Sequence, residues 1–209
     1  MARRDKPDHF AQRARREGYK ARSVYKLEEI DGKSHLISRG DNVLDVGAAP
    51  GSWTQYALKR VGPHGRVVAV DLKPVELPAP DRLTVIEGDV TTEGVRKQLF
   101  SAGLFDVVLS DAAPSTSGNR NLDSARSAEL VELVLQLVDD VLATGGNMAV
   151  KLFQGGEERQ LLEAARSRFK QARVQRPKAS RSDSFEIYLV GTGYASRPPG
   201  HAGTDGDDG

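Results

Sequence analysis

Two amines and two carboxylates, Lys26, Asp111, Lys151 and Glu186, fall where the sequence predicts the ends of four different elements. Lys151 lies inside an apolar stretch, MAVKLF, where an ammonium group is costly unless partnered. An acid on either side would supply the partners. Amines and carboxylates meeting at one place can orient a hydroxyl and manage its proton. The alternative is a buried ion-pair network with no chemistry. What separates the two is whether a ligand site shares their rim, and VLDVGAAPGSW (43–53) is a candidate for one.

Gly47 and Gly51 let that backbone turn sharply and approach a ligand, and the following helix N-terminus offers free N–H groups. The loop is not a dinucleotide fingerprint. Counting from Gly47, the second glycine position holds Ala49 and the third holds Ser52. GxxxxGK[ST] is also absent, so the loop suits an adenosine ligand that carries no phosphate. Two acids follow the next two strands, Asp71 in VVAVDLK and Asp89 in VIEGDV. Asp71 is placed to accept both hydroxyls of an adenosine ribose. Asp89 is placed to take the exocyclic amine of adenine, with Leu72 and Val90 sandwiching the ring. Each acid could instead cap a turn or a helix.

These residues need a scaffold that alternates strand and helix. A helical region runs to about Ile30, with Val24, Leu27 and Ile30 on one face and Lys26 off that stripe. Short apolar runs at 42–46, 66–70, 83–86, 106–109, 147–152 and 185–190 read as strands, most of them buried and parallel. Helices are expected at 52–61, 92–102, 124–142 and 157–169, the third stopped by Gly145-Gly146. Strand and helix in turn mean an α/β sheet whose ligands bind outside the carboxyl ends of the strands. Asp111 and Lys151 each end a strand and so share that rim. Glu186 begins the last strand, and joins them if that strand runs antiparallel.

With 209 residues, 38% hydrophobic and 28% charged, the chain is expected to form a single soluble domain over 1–195. The stretch 196–209, rich in Pro, Gly and Asp, reads as a disordered acidic tail. With no cysteine there is no disulfide, no thiolate metal site and no cysteine nucleophile, and no metal is required by the chemistry considered. The apolar runs fall short of the roughly 20 residues of a membrane span, and the N-terminus lacks a signal-peptide core, so a cytoplasmic location is expected. The formal net charge is only +1, but the signs are separated. A basic arm (about 1–26) carries nine bases against three acids, and Lys170, Arg173, Arg176, Lys178 and Arg181 form a second acid-free cluster. Two such clusters suggest a face for a polyanion, with a solvated surface as the alternative.

Taken together, SVYKLEEID, VLDVGAAPGSWTQYA, VVAVDL, EGDV, VVLSDAAPSTSGN, VKLFQGGEE and SFEIYLV resemble, in order, the motifs of the FtsJ/RrmJ family of large-subunit (23S) ribosomal RNA uridine-2′-O-methyltransferases. The resemblance runs from about Tyr19 to Tyr194. It implies the Rossmann-like fold of the S-adenosyl-L-methionine-dependent methyltransferases, seven strands with the last, antiparallel one inserted between two parallel ones. It implies a Lys-Asp-Lys-Glu catalytic tetrad at Lys26, Asp111, Lys151 and Glu186, and cofactor contacts at Gly51, Trp53, Asp71, Asp89 and Asp111. Ser52 replaces a glycine common in that loop. The substrate implied is RNA, 23S rRNA within the 50S subunit, and a monomer is the simplest expectation. Relatives acting on transfer RNA or messenger RNA caps resemble the same tetrad, so those substrates stay open, as does a non-catalytic ribosome assembly factor. DAAP after the fourth strand argues against an amine methyltransferase. A ribose 2′-hydroxyl is a weak nucleophile, and Lys151 is the residue expected to accept or orient its proton, assisted by Lys26.

Overall fold

The computed structural model describes residues 8–78, 80–181 and 184–195. Arg3, Arg4 and Lys6 of the basic arm and the whole acidic tail lie outside them. The described chain runs α1 (His9–Arg16), α2 (Val24–Ser34), β1 (Asn42–Val46), α3 (Ser52–Val61), β2 (Arg66–Asp71), β3 (Leu83–Glu87), α4 (Glu93–Ser101), β4 (Phe105–Ser110), α5 (Arg120–Val141), β5 (Leu142–Phe153), α6 (Glu158–Arg166), β6 (Phe169–Gln175) and β7 (Glu186–Tyr194).

Strands β1, β2 and β4 are rich in Val and Leu through their middles, as strands covered on both faces are. Their alternation splits the core in two. Leu44 and Val46 of β1 pack with Val95, Leu99 and the apolar stripe of α5 on one face. Val43 faces the other, with Leu27 and Ile30 of α2 and Trp53, Tyr56 and Ala57 of α3. The strand order is β3-β2-β1-β4-β5-β7-β6, and β7 pairs antiparallel with both β5 and β6. That is the seven-stranded, mostly parallel α/β sheet with one reversed strand expected of the fold.

Three local readings are corrected. The single N-terminal helical region is two helices, because Gly18 at φ 78 turns the chain left-handed just after α1. Gly145-Gly146 does not stop α5. The helix ends at Val141, and β5 begins at Leu142 with extended geometry, so the glycines lie inside the strand. There the register against β4 jumps from Phe105 opposite Leu142 to Val107 opposite Asn147, and a Cβ on Gly146 would sit 2.8 Å from the carbonyl oxygen of Asp106. Last, part of the second basic cluster is a strand. Edge strand β6, FKQARVQ, buries little beyond Phe169, so its pattern resembles no buried strand, and the preceding helix stops at Arg166, short of Phe169.

The described part of the basic arm is folded against α2. Phe10 lies 5.6 Å from the ring of Tyr25, the Arg13 guanidinium sits 4.2 Å over that ring, and Ala14 is buried. No helix among the described residues is long and apolar enough to cross a membrane.

Candidate active site

The order of strands reverses between β1 and β4, and their carboxyl ends open the crevice where ligands of such sheets bind. Gly47 leaves β1 at φ 72, and a Cβ there would lie 2.5 Å from the Cβ of Ala112. Only glycine lets the two loops touch. The cavity beside them has a volume of about 480 Å³, and Gly47, Asp71, Leu72, Asp89, Val90 and Asp111 are all in its wall. Leu72 is 70% exposed, an apolar side chain open to whatever occupies the cavity.

The two acids are held differently. Asp71 accepts the Ala49 N–H on Oδ2 at 2.9 Å and the Lys73 N–H on Oδ1 at 2.8 Å, which fixes the carboxylate while each oxygen keeps a further lone pair. Asp89 takes both the N–H and the hydroxyl of Thr91 on Oδ1, and these bonds hold its carboxyl below the usual range. Each acid therefore does organise a turn, as the alternative reading required, and both still face the cavity.

Gly51 and Trp53 are not in the cavity wall. Gly51 is the N-cap of α3 at φ 105, where a Cβ would press on Leu77 at 2.8 Å. Trp53 is buried; its indole N–H donates to the Ser23 carbonyl at 2.9 Å, and its ring lies 5.7 Å from that of Tyr188. The Ser52 and Ser23 hydroxyls meet at 2.9 Å. A glycine at 52 could not make that bond. Ser52 and Trp53 thus tie the glycine loop to the start of α2, the helix that carries Lys26.

All four tetrad residues reach one rim. Asp111 follows Ser110, which pairs with Val150, so Asp111 sits beside Lys151. Lys151 Nζ is 3.1 Å from Asp111 Oδ1 and donates to the Asp111 carbonyl at 2.5 Å. Across the antiparallel pair Lys151 faces Tyr188, and Glu186 lies two residues away on the same face, a diagonal neighbour about 7 Å off. Glu186 does not pair with Lys151. Its Oε1 is 2.5 Å from Lys26 Nζ, and both side chains are only 11% exposed. The four groups form two adjacent ion pairs, Lys26–Glu186 and Lys151–Asp111.

Two further residues belong to this arrangement although sequence reasoning did not single them out. The Tyr188 phenol donates to Asp111 Oδ1 at 2.8 Å; burial, then the charges of Asp111 and Glu186, push it well above its ordinary value, so it stays a donor. Its signal was the alternation that put it on the same face as Glu186. Asp45 is fully buried, and burial pushes its carboxyl up to about 7, against the Thr54 hydroxyl bond at 2.6 Å and aided by the charges of Asp111 and Asp71. Its Oδ1 has no partner among the described residues. The signal here was a charge in the middle of a buried strand.

The Lys26–Glu186 pair lines a second cavity of about 340 Å³, with Arg22, Arg181, Ser184 and Phe185. Asp111 lines the first cavity and Lys26–Glu186 the second, so each of the two neighbouring ion pairs borders one cavity. The second basic cluster only partly faces solvent as free charge. Arg173 donates to the Lys33 carbonyl and Ser34 hydroxyl, and Arg176 donates to the Ser184 carbonyl.

Against known proteins, residues 19–194 match the model of the FtsJ-like methyltransferases. The chain belongs to that family. Among its relatives, the ribosomal RNA large subunit methyltransferase E of Treponema denticola is 48% identical over 90% of this chain and 95% of its own length. That of Syntrophobacter fumaroxidans is 50% identical over 88% and 94%. A ribosomal RNA methyltransferase structure from Plasmodium falciparum superposes with a TM-score of 0.77 at 28% identity, covering 86% of this chain and all of that one. Fibrillarin from Aeropyrum pernix, solved with S-adenosyl-L-methionine, shares the fold at a TM-score of 0.58 and 16% identity, over 81% and 76% of the two chains. The FtsJ-like chain is therefore a Rossmann-like methyltransferase by fold as well as by family.

Proposed function

We propose that this FtsJ-like enzyme methylates a ribose 2′-hydroxyl of RNA, a uridine of 23S rRNA in the large subunit, using S-adenosyl-L-methionine. Two adjacent ion pairs, one bordering an adenosine-suited cavity and the other a basic one, carry this reading. The relatives named for large-subunit rRNA, matched over nearly their full length, support the substrate. The place of action is the cytoplasm, the particle is the 50S subunit, and the chain acts as a monomer.

The first cavity fits the cofactor in its own terms. It has an exposed apolar platform in Leu72, a fixed carboxylate at Asp71 for the ribose hydroxyls, Asp89 and Val90 for the adenine, and at Gly47 a backbone that no Cβ separates from the opposite loop. When bound, the cofactor supplies an electrophilic methyl group. The protein has to align a hydroxyl with it and take one proton. To take that proton Lys151 must act as the amine, giving its two N–H bonds to the Asp111 carbonyl and carboxylate and its lone pair to the ribose hydroxyl; the proton it takes makes it the ammonium that Asp111 pairs with. Asp111 is itself held by the Tyr188 phenol, so the amine is aimed by a rigid partner. Lys26, neutralised by Glu186, stands in the cavity the ribose would enter and orients the same hydroxyl.

The test is methyl transfer from labelled cofactor to 50S subunits from cells lacking the activity, with nuclease mapping of the product. The expected result is one 2′-O-methyluridine in 23S rRNA. For Lys151→Ala the rate should fall about 10²-fold or more while cofactor binding is kept. Near-normal transfer by that variant would end the assignment of Lys151. Labelling of transfer RNA or capped RNA in place of the subunit would end the assignment of substrate, and cofactor binding without transfer to any RNA would make the chain an assembly factor.

A further inference from the structure

The first turn of α3 reaches across to the segment that leads into α2. The Trp53 indole N–H donates to the Ser23 carbonyl at 2.9 Å, and the Ser52 hydroxyl meets the Ser23 hydroxyl at 2.9 Å. Gln55 accepts the Lys20 N–H at 2.9 Å and donates to the Gly18 carbonyl at 3.0 Å. Ser23 is the N-cap of α2, yet it makes no side-chain cap bond. A serine there ordinarily gives its oxygen to the free N–H groups of its own helix. Here the carbonyls of Ala21, Arg22 and Ser23 take the N–H groups of Val24, Tyr25 and Lys26, and the Ser23 hydroxyl turns to α3 instead.

The Ser23 carbonyl therefore holds two donors, the Lys26 N–H at 3.0 Å and the Trp53 indole. Lys26 follows Ser23 by less than one helical turn, so whatever fixes Ser23 fixes the base of the amine that meets Glu186. The same indole ring lies 5.7 Å from that of Tyr188, and the Tyr188 phenol holds Asp111, the partner of Lys151. One buried ring thus stands against the supports of both ion pairs.

We propose that Trp53, Ser52 and Ser23 form a positioning clamp that sets where the two amines stand relative to the methyl donor. This rests on the ribose-methylation reading above. Helix α3 begins at the Gly51 cap, where the glycine loop ends, so the clamp refers the Lys26 pair and, through Tyr188, the Lys151 pair to the loop that borders the cofactor cavity. None of the three side chains lines either cavity; each acts through another residue. Loosening the clamp therefore leaves the cofactor its own wall, with Gly47, Asp71 and Asp89, and removes alignment of the reacting groups, which is felt in the rate of transfer rather than in binding.

Ser23→Ala and Ser52→Ala each remove one hydroxyl and keep the Cβ, while Trp53→Phe removes the indole N–H and keeps a ring. Methyl transfer is measured with labelled cofactor and 50S subunits from cells lacking the activity. Rates are expressed per cofactor-binding site, counted by calorimetry, so that unfolded protein does not enter. kcat is expected to fall about fivefold in each serine variant and about tenfold in Trp53→Phe, with KM for cofactor and for subunits within about twofold of the unmodified protein. The double serine variant should lose no more than either single one. Ser52→Ala added to Lys26→Ala should lower the remaining rate by less than about twofold, because it acts through Lys26. A lowered melting temperature with kcat per site unchanged would reduce the clamp to scaffolding. A loss confined to KM, or an equal loss with and without Lys26, would overturn the proposal as well. If Trp53→Phe does not fold, the serine variants decide alone. Lys26→Ala by itself is read separately: normal transfer would end the tetrad reading, whereas impaired transfer beside normal serine variants would end only the clamp.

Discussion

Replacing Asp45 with asparagine should make the protein more stable at neutral and alkaline pH and leave it nearly unchanged in acid. The carboxyl lies in β1, fully buried, and keeps its proton up to about pH 7, where the same group in an unfolded chain loses it near its ordinary value of 3.8. Between those values unfolding releases a proton, so the native state loses stability as pH rises through the window, and the loss levels off above 7. A gap from 3.8 to about 7, at about 1.4 kcal/mol per pH unit, makes about 4 kcal/mol. Asparagine does not titrate and can still accept the Thr54 hydroxyl bond, so the variant is spared that loss. Urea unfolding of both proteins at pH 5, 6, 7 and 8 reads the difference directly, provided the m-values agree. The stability gap should open steadily toward pH 7 and then hold. Parallel curves would mean that Asp45 stays ionised in the fold, and that water or an ion meets its Oδ1.

Two other substitutions probe the site around it. Gly47→Ala would bring a Cβ to 2.5 Å from Ala112 at a backbone φ of 72, so cofactor affinity measured by calorimetry should fall by tenfold or more, with RNA binding kept. Tyr188→Phe removes the phenol bond to Asp111 without emptying the core, so thermal unfolding should shift only slightly while kcat drops several-fold; a loss confined to KM would place Tyr188 outside the tetrad's support.

Much of this site could be read from the chain because its parts come from elements with strong patterns. Asp71 ends β2 and Asp111 follows β4, both runs rich in Val, and Lys151 lies two residues short of the end of β5, so the carboxyl ends of these strands fix the rim they share. The partnering of the tetrad was less legible. An acid on either side of Lys151 was a fair inference from burial, but which acid takes which amine depends on the Lys151–Tyr188 register, and no local pattern states that. Gly51 and Trp53 show the same limit from the cofactor side. Their positions in the loop match a binding motif, while the Trp53 side chain is turned inward, its indole N–H on the Ser23 carbonyl and its ring near Tyr188, and Gly51 caps α3. Strand β6 was missed because an edge strand needs no buried alternation, and its bases read as a charged surface.

The reversed direction of β7 is what makes a four-residue site possible. Glu186 is the first residue of that strand and Tyr194 the last, eight steps apart, or about 26 Å at the rise of a strand. Had β7 run parallel to β5, Glu186 would lie at the amino-end rim, and the 2.5 Å bond to Lys26 could not form. On its outer side β7 pairs antiparallel with β6, from Phe169 opposite Tyr194 to Gln175 opposite Tyr188. The turn between them, with Arg176, Arg181, Ser184 and Phe185, is thereby delivered to the mouth of the second cavity. One topological choice accounts both for the acid that holds Lys26 and for the basic loop beside it.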